Sequence, residues 1–420
     1  MNAIKLLNSV AVTALGLERR VDGLYRGPVD RVFREPLFSL AQIVLNAQRE
    51  HDESLGIAEE REQPDEVADT QKVIDTMAAF LHRTWAPGHA ERAGNTKTYG
   101  VVRGEFRVFD DIPERLRRGL FAHPRSFLAW VRFAGPGPLA PADVDDNGIL
   151  SFAIKVMGVA GPKLGDELYT QDFLGISSPT FTTPNVHANV RLQEHVLDGT
   201  PLFYFLDPRD SHLLDLVMQG LYARTQTSPL EVPYWSCVPY LLGEGQAMQY
   251  SLRPRSKRTT RVPLFPSDNY LRETMAETLD SREVVFDLYV QLQTDADRMP
   301  VENASVRWSE RLSEPVPVAE LRLPIQRFDS PEQLAFAGNL SFNPWHALPE
   351  HRPLGNQNRA RKAIYETLAR VRQEMNAQPH IEPTGDERFP GSEPIDRVWS
   401  PERPRSQNGT PSPPLAERRR

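Results

Sequence analysis

The strongest constraint on the fold is a long stretch, from about residue 97 to 325, in which one strand-like segment follows another. Apolar and polar side chains alternate in these segments with a period of two, which is typical of β-strands with one buried face. The alternation is visible at 99–109, 126–133, 150–156, 246–252, 284–294 and 318–324. Turn-forming clusters separate the segments, so the pattern predicts an antiparallel barrel. Helical insertions are predicted at 210–225 and 270–279.

The flanks of this stretch have a different periodicity. Residues 1–88 read as a helical arm, in which Val73, Met77 and Leu81 follow helical spacing before Pro87 and Gly88 end the segment. Residues 331–376 are again helical in pattern. From residue 379 onward Pro, Arg, Glu and Ser predominate, which predicts a disordered or loosely wrapped tail. The chain therefore divides into an arm (1–88), a barrel with C-terminal helices (89–378) and a tail (379–420).

Composition narrows the class of protein. A net charge of −7 and an isoelectric point near 5.9 argue against a nucleic-acid binder. No segment approaches the roughly 20 apolar residues needed to span a bilayer. The only cysteine, Cys237, cannot form an intrachain disulfide and is expected to be a buried structural thiol. Because the apolar run near the start is interrupted and lacks a convincing cleavage site, we expect a cytoplasmic protein.

One tyrosine near the C-terminal end of the helical region stands among three arginines. Arg361, Arg370 and Arg372 lie at offsets of minus four, plus five and plus seven from Tyr365. On a helix, Arg361 sits beside the phenol and Arg372 stays nearby. A neighbouring guanidinium favours a phenolate, and tyrosine is a known haem ligand. The alternative is an ordinary exposed pair, worth a few tenths of a kcal/mol.

Five further segments precede this motif in a fixed order. They are Arg92-Ala-Gly-Asn95-Thr-Lys97, Val131-Arg-Phe-Ala134, Phe152-Ala-Ile-Lys155, Asp172-Phe-Leu-Gly-Ile-Ser-Ser-Pro-Thr-Phe181 and Leu340-Ser-Phe-Asn-Pro-Trp345. Together with the tyrosine motif, they resemble the haem catalase superfamily, and more closely its shorter catalase-related bacterial branch. The resemblance covers roughly residues 88 to 375.

The resemblance implies an α+β fold: an eight-stranded antiparallel β-barrel with an N-terminal helical arm and C-terminal helices. It implies haem b held between the barrel and a proximal helix. Tyr365 would be the axial ligand of the haem iron, and Arg361 would hydrogen-bond the phenolate. Arg132 would bind a haem propionate, Arg372 would serve as a second propionate or proximal partner, and Phe133 would contact the cofactor.

The distal side departs from the family. By the resemblance, Asn95 replaces the histidine that moves a proton between the peroxide oxygens, and Ser177 replaces the asparagine that orients the peroxide. Ala134 replaces the serine that supports the histidine. An amide does not titrate near neutral pH, so Asn95 cannot be a base, although it can donate a hydrogen bond.

Other polar residues near these motifs leave alternatives open. His89 and His187 could enter the pocket as substitute bases, or could have surface or structural roles. Thr96 and Tyr99 are further polar candidates. His346, between prolines, is interpreted as part of a rigid structural connector rather than as a ligand.

Three hypotheses follow. The first is an oxidoreductase with haem that acts on a peroxide or an organic hydroperoxide, with poor or no hydrogen peroxide dismutation. The second is a binding or structural protein that keeps the barrel and has lost catalysis, with or without haem. The third is a catalase that uses a substitute distal base such as His89. The resemblance also implies a homo-oligomer in which the arm takes part.

Overall fold

Eight antiparallel strands close into a barrel at the centre of the chain. The structure, a computed structural model, describes residues 3–145 and 148–391. The strands are β1 (Thr98–Val108), β2 (Ser126–Ala134), β3 (Ser151–Met157), β4 (Thr170–Ile176), β5 (Tyr234–Trp235), β6 (Tyr240–Leu241), β7 (Ala247–Pro254), β8 (Val284–Leu292) and β9 (Val316–Leu323). Pairing of β5 with β7 and of β1 with β9 closes the ring, while β6 adds to one edge of β7. The predicted eight-stranded antiparallel barrel is confirmed.

The barrel interior is filled by aromatic and branched side chains. Phe106 stacks on Phe173 with ring centres 5.6 Å apart, and Phe133 lies 6.1 Å from Tyr234. Side chains of this size contribute roughly 1.5–3 kcal/mol each when fully buried. The barrel is therefore a packed core, and a ligand must bind outside its axis.

Helices surround the barrel. They are α1 (Ala3–Val29), α2 (Glu35–Gln48), α3 (Glu66–Thr84), α4 (Val186–Leu197), α5 (Pro201–Leu206), α6 (Leu213–Tyr222), α7 (Tyr270–Ser281), α8 (Pro331–Asn339) and α9 (Asn356–Met375). A π-helical turn, Asp30–Arg34, joins α1 to α2. The expected helical arm and C-terminal helices are present. Within the two described ranges, no helix combines the length and the apolarity that crossing a bilayer demands.

Packing of α9 decides which way the tyrosine motif points. Ile364 and Leu368 of α9 join an apolar cluster with Val73 and Leu81 of α3 and Val190 of α4. This contact fixes the rotation of α9 about its axis. The motif is thereby directed toward the space between the helices and the barrel.

The first part of the predicted tail packs on the barrel. Glu387 accepts a hydrogen bond from the indole nitrogen of Trp130 at 2.8 Å, and Phe389 packs on the same ring. The carbonyl of Gly385 accepts a bond from Arg103 at 2.8 Å. Residues 392–420, the remainder of the predicted tail, lie outside the described residues.

Candidate functional site

A cavity of about 310 Å³ lies between the barrel, α3, α4 and α9. Its volume falls at the lower end of the ~300–1,000 Å³ typical of ligand sites. Five residues proposed from the sequence line it, namely Asn95, Arg132, Arg361, Tyr365 and Arg372. The fold thus brings together residues that are up to 277 positions apart in the chain, from 95 to 372.

The proximal wall of the cavity carries the arginine–tyrosine pair. Arg361 donates from Nη2 to the phenol oxygen of Tyr365 at 3.2 Å and from Nη1 to Oδ1 of Asn358 at 2.9 Å. Asn358 is itself held by the carbonyl of Pro239 at 2.8 Å. Burial acts to lower the pKa of Arg361, but the phenols of Tyr365 and Tyr240 outweigh it and raise that pKa. Arg361 is therefore a fixed positive charge aimed at the phenol.

Three more arginines form a cationic cluster on the cavity wall. Burial lowers the pKa of Arg132 to about 9, with the cation of Arg372 adding to the effect. Burial lowers the pKa of Arg372 to about 10. Burial, together with the cations of Arg132 and Arg372, lowers the pKa of Arg92 well below its usual value. A guanidinium does not lose its proton in a protein, so these shifts report buried positive charge that the nearby carboxylate of Glu91, which acts to raise all three pKa values, does not offset.

The rest of the lining supplies no anion that would balance this charge. Among the described residues that line the cavity there is no aspartate, glutamate or histidine. The Nη1 atom of Arg92 is buried and has no hydrogen-bond partner in the described part of the chain. Clustered guanidinium groups of this kind suit a ligand that carries carboxylates.

The distal position is held in an unusual backbone conformation. Asn95 has a φ of 49°, in the left-handed region that asparagine and histidine tolerate better than most residues. Its carbonyl accepts a bond from Arg132 at 2.6 Å, and its backbone N–H donates to Pro136 at 3.2 Å. Ala134, buried at the end of β2, pairs with Thr98 at the start of β1. Positions 95 and 134 therefore lie at adjoining strand ends.

Solved structures resemble this arrangement of barrel and helices. A fungal catalase has a TM-score of 0.56 at 17% identity, over 73% of this chain and 64% of its own. Catalase A from Saccharomyces cerevisiae has a TM-score of 0.57 at 16% identity, over 88% of this chain and 83% of its own. The chain has the catalase fold.

A third structure, a bacterial catalase, agrees with a TM-score of 0.52 at 16% identity, over 86% of this chain and 75% of its own. The chain spans less than two thirds of the fungal catalase's length. No family model matches the sequence, and no curated protein is significantly similar to it. At sequence identities this low, the similarity shows a shared fold and does not show a shared function.

The catalase-fold barrel places two predicted site residues away from the cavity. Phe133 points into the barrel core, where its ring lies 6.2 Å from that of Phe286, because neighbours on a strand face opposite sides and Arg132 faces the cavity. The hydroxyl of Ser177 accepts the N–H of Leu150 at 2.9 Å, and this residue is buried behind the lining. Neither residue lines the cavity.

The other sequence candidates also lie elsewhere. His89 is exposed, and His187 is 71% exposed and pairs with Asp69 at 2.9 Å. Thr96 donates its hydroxyl to the carbonyl of Arg92, and Tyr99 is part of the barrel core. None of the four candidates lines the cavity.

His346 belongs to a buried network of charged side chains. Its Nδ1 lies 2.9 Å from Oδ2 of Asp172, and its Nε2 lies 2.7 Å from Oδ1 of Asp166. Burial and Lys155 act to lower its pKa, but these carboxylates raise it to about 9. The ammonium of Lys155 fills the space between Asp172 and Glu167, which is where a metal ion would otherwise sit. His346 is thus a charged partner in a packed network.

Sequence reasoning assigned no role to the amides that line the cavity. Asn189 and Gln193 lie one turn apart on α4, and Gln219 of α6 joins them. Polar residues at i and i+4 on a helix with a buried face are a detectable signal. No helix is predicted at 186–197, so the sequence alone does not place the two α4 amides on one face.

Proposed function

We propose that this chain is a haem-binding oxidoreductase of the catalase fold. It acts on a peroxide or an organic hydroperoxide and dismutates hydrogen peroxide poorly or not at all. The observation that carries the proposal is the Arg361–Tyr365 pair, 3.2 Å apart, on the wall of a cavity that also holds three arginines without a carboxylate partner in its lining.

The lining fits haem b in three respects. Tyr365 offers a phenol oxygen beside a fixed guanidinium, the setting in which a phenolate ligates ferric iron. Arg92, Arg132 and Arg372 offer the charge that two propionates require. Apolar side chains such as Phe152 give a surface for the flat ring. Bound there, haem would supply the redox-active iron at which a peroxide O–O bond is cleaved.

The residues of the chain would then have separate tasks. Arg361 holds positive charge at the phenol oxygen of Tyr365, where it would stabilise the negative charge of an oxygen bound to iron. The three other arginines bind the propionates and set the cofactor's orientation. The amide of Asn95 can donate a hydrogen bond to a peroxide oxygen, but it can neither take up nor release a proton near neutral pH.

The missing proton shuttle decides which substrates are favoured. Dismutation of hydrogen peroxide needs a proton moved from one oxygen to the other, which is general acid–base work. The described lining residues include no histidine, aspartate or glutamate to do this work. Apolar lining residues such as Met77, Phe181 and Leu192 offer contacts to an organic substituent. An organic hydroperoxide is therefore favoured over hydrogen peroxide.

The direct test compares substrates on the protein loaded with haem. Turnover is measured with hydrogen peroxide, cumene hydroperoxide and a fatty-acid hydroperoxide. We expect measurable turnover of an organic hydroperoxide and little oxygen release from hydrogen peroxide. Oxygen release at the rate of a true catalase would contradict the proposal. Stable haem binding without turnover of any substrate would favour the alternative, a catalase-fold protein that has lost catalysis.

A further inference from the structure

The connection between β7 and α7 is long and contains no helix or strand of its own. It comprises fifteen residues, 255–269, whereas most connections in compact domains have about 4–6. Connections of this length usually have a function of their own or are disordered. This one, here called the 255–269 loop, is held to the body at both ends, so we looked for a function.

Hydrogen bonds and packing anchor both ends of the loop. On the N-terminal side, the carboxylate of Glu231 accepts hydrogen bonds from the backbone N–H groups of Thr259 and Thr260, at 3.0 and 3.1 Å. The side chain of Val262 packs against the barrel core. On the C-terminal side, the carbonyl of Asp268 accepts a backbone N–H at 3.1 Å. Residues 263–266 lie between these anchors and are here called the tip.

The tip presents two apolar side chains to solvent. Leu264 is 87% exposed and Phe265 is 89% exposed, the highest values for large apolar side chains in the described part of the chain. Pro263 and Pro266 flank the pair, restrict the backbone on either side and have no N–H group. The tip is therefore a short, stiff protrusion with few backbone donors that would lose hydrogen-bonded water in an apolar phase.

Basic residues precede the tip. The loop has four basic residues and one acidic residue, Asp268, so its net charge of +3 is opposite in sign to the −7 of the whole chain. Arg255 is paired with a carboxylate of β8 at 2.6 Å. Within the two described ranges, no salt bridge involves Lys257, Arg258 or Arg261. The loop thus joins an apolar tip to positive charge that no ion pair neutralises.

The size of the tip decides between a protein partner and a membrane. Two side chains of this size bury at most roughly 400 Å², whereas a stable protein interface buries roughly 800 Å² on each partner. A bilayer needs no larger contact, because apolar side chains enter the acyl boundary while neighbouring cations bind anionic headgroups. The small apolar tip and its basic flank therefore match an anionic lipid surface.

We propose that the 255–269 loop docks the protein on the surface of a membrane that contains anionic lipids. Leu264 and Phe265 enter the boundary between headgroups and acyl chains, and Lys257, Arg258 and Arg261 lie near the anionic headgroups. The contact requires no spanning segment. The inference does not rest on haem binding or on the proposed reaction.

The first test compares two exposed apolar pairs on the full chain. Leu168 and Tyr169, 61% and 64% exposed, are the control pair, because two acidic residues directly precede them. We expect the wild type and Leu168→Ser with Tyr169→Ser to sediment with vesicles of phosphatidylcholine and phosphatidylserine at low salt. Leu264→Ser with Phe265→Ser is expected to bind at least about 100-fold more weakly. Sedimentation of this tip variant at the wild-type level would overturn the proposal.

The contribution of charge is tested by Lys257→Gln with Arg261→Gln, which leaves the hydrogen bond from Arg258 to Thr227 in place. We expect its binding to the same vesicles to fall by about 30-fold. Binding of the wild type should weaken as salt rises. Equal binding of the wild type to vesicles of phosphatidylcholine alone, or no binding to either kind, would overturn the proposal. The circular dichroism and haem spectrum of each variant should match the wild type, which separates this proposal from the proposed function.

A fluorescent label reports which surface meets the membrane. The only native cysteine, Cys237, is buried, so a thiol-reactive probe marks an introduced cysteine. A nitrobenzoxadiazole label on Phe265→Cys is expected to emit at shorter wavelength when phosphatidylserine vesicles are added, whereas the same label on Leu168→Cys is not. An unchanged emission at position 265 would overturn the proposal. So would a shift that follows protein concentration without vesicles, because the tip would then dock on a second copy.

Discussion

The double variant Asn95→His with Ala134→Ser, loaded with haem, is expected to dismutate hydrogen peroxide roughly 10²- to 10⁴-fold faster than the wild type. The added imidazole supplies the proton transfer that the lining lacks. The left-handed φ of 49° at Asn95 is one that histidine tolerates. The hydroxyl at position 134, at the adjoining strand end, is introduced as a hydrogen-bond partner for the ring. Oxygen release measured with an oxygen electrode checks the result.

Two controls separate acid–base chemistry from a change in pocket shape. Asn95→Gln keeps an amide and is expected to give no gain. Asn95→His alone is expected to give a smaller gain than the double variant, because the ring lacks its support. If the double variant binds haem but dismutates hydrogen peroxide no faster than the wild type, the absence of a histidine at position 95 is not what limits the reaction.

Arg372→Met is expected to weaken haem binding by roughly 10- to 100-fold, the effect of losing one charge-assisted hydrogen bond. The haem-free protein should be as stable as the wild type, or slightly more so, because a cation is removed from beside Arg92 and Arg132. The two carbonyls that Arg372 binds keep other donors. In the variant, the carbonyl of Leu340 still accepts a hydrogen bond from Arg92, and the carbonyl of Asn339 still accepts one from Gln373.

The matched control is Arg370→Met, two residues away on the same helix and exposed. It removes the same charge from α9 without touching the cationic cluster, so haem affinity should not change. Haem titration measures the affinity, and urea unfolding of the haem-free proteins measures the stability. Equal loss of haem affinity in both variants, or a large loss of stability in Arg372→Met alone, would count against a propionate-binding role.

Local pattern was enough to predict most of the barrel. Strands β1, β2, β3, β7, β8 and β9 alternate in sequence, although β3 is buried along its whole length. Strand β4 is not visible in the alternation, since its sequence groups three polar residues, Thr170 to Asp172, before the apolar Phe173 and Leu174. Its Asp172 is balanced by Lys155 across the sheet, a pairing that only the folded structure brings together. Strand β5, two residues long, is too short for any periodicity.

The two halves of the candidate site differ in how far sequence could predict them. Arg361 and Tyr365 share one helix, so their spacing alone places them in contact. The distal side depends on where strands end: Ile176 lines the cavity, and Ser177, one residue later, does not. Neighbouring side chains on a strand face opposite sides, so Phe133 lies in the barrel core while Arg132 lines the cavity. The cationic cluster joins segments that are far apart in the sequence, so the spacing of residues along the chain could not predict it.

The measurement that tests the central claim most directly is a haem titration of the wild type beside Tyr365→Phe. Phenylalanine keeps the ring and its packing on α9 and removes only the oxygen to which Arg361 donates. We expect the wild type to bind haem with the absorption spectrum of a tyrosinate-ligated ferric iron. The variant should keep its circular dichroism and lose that spectrum. Identical spectra and affinities for the two proteins would contradict ligation of haem by Tyr365.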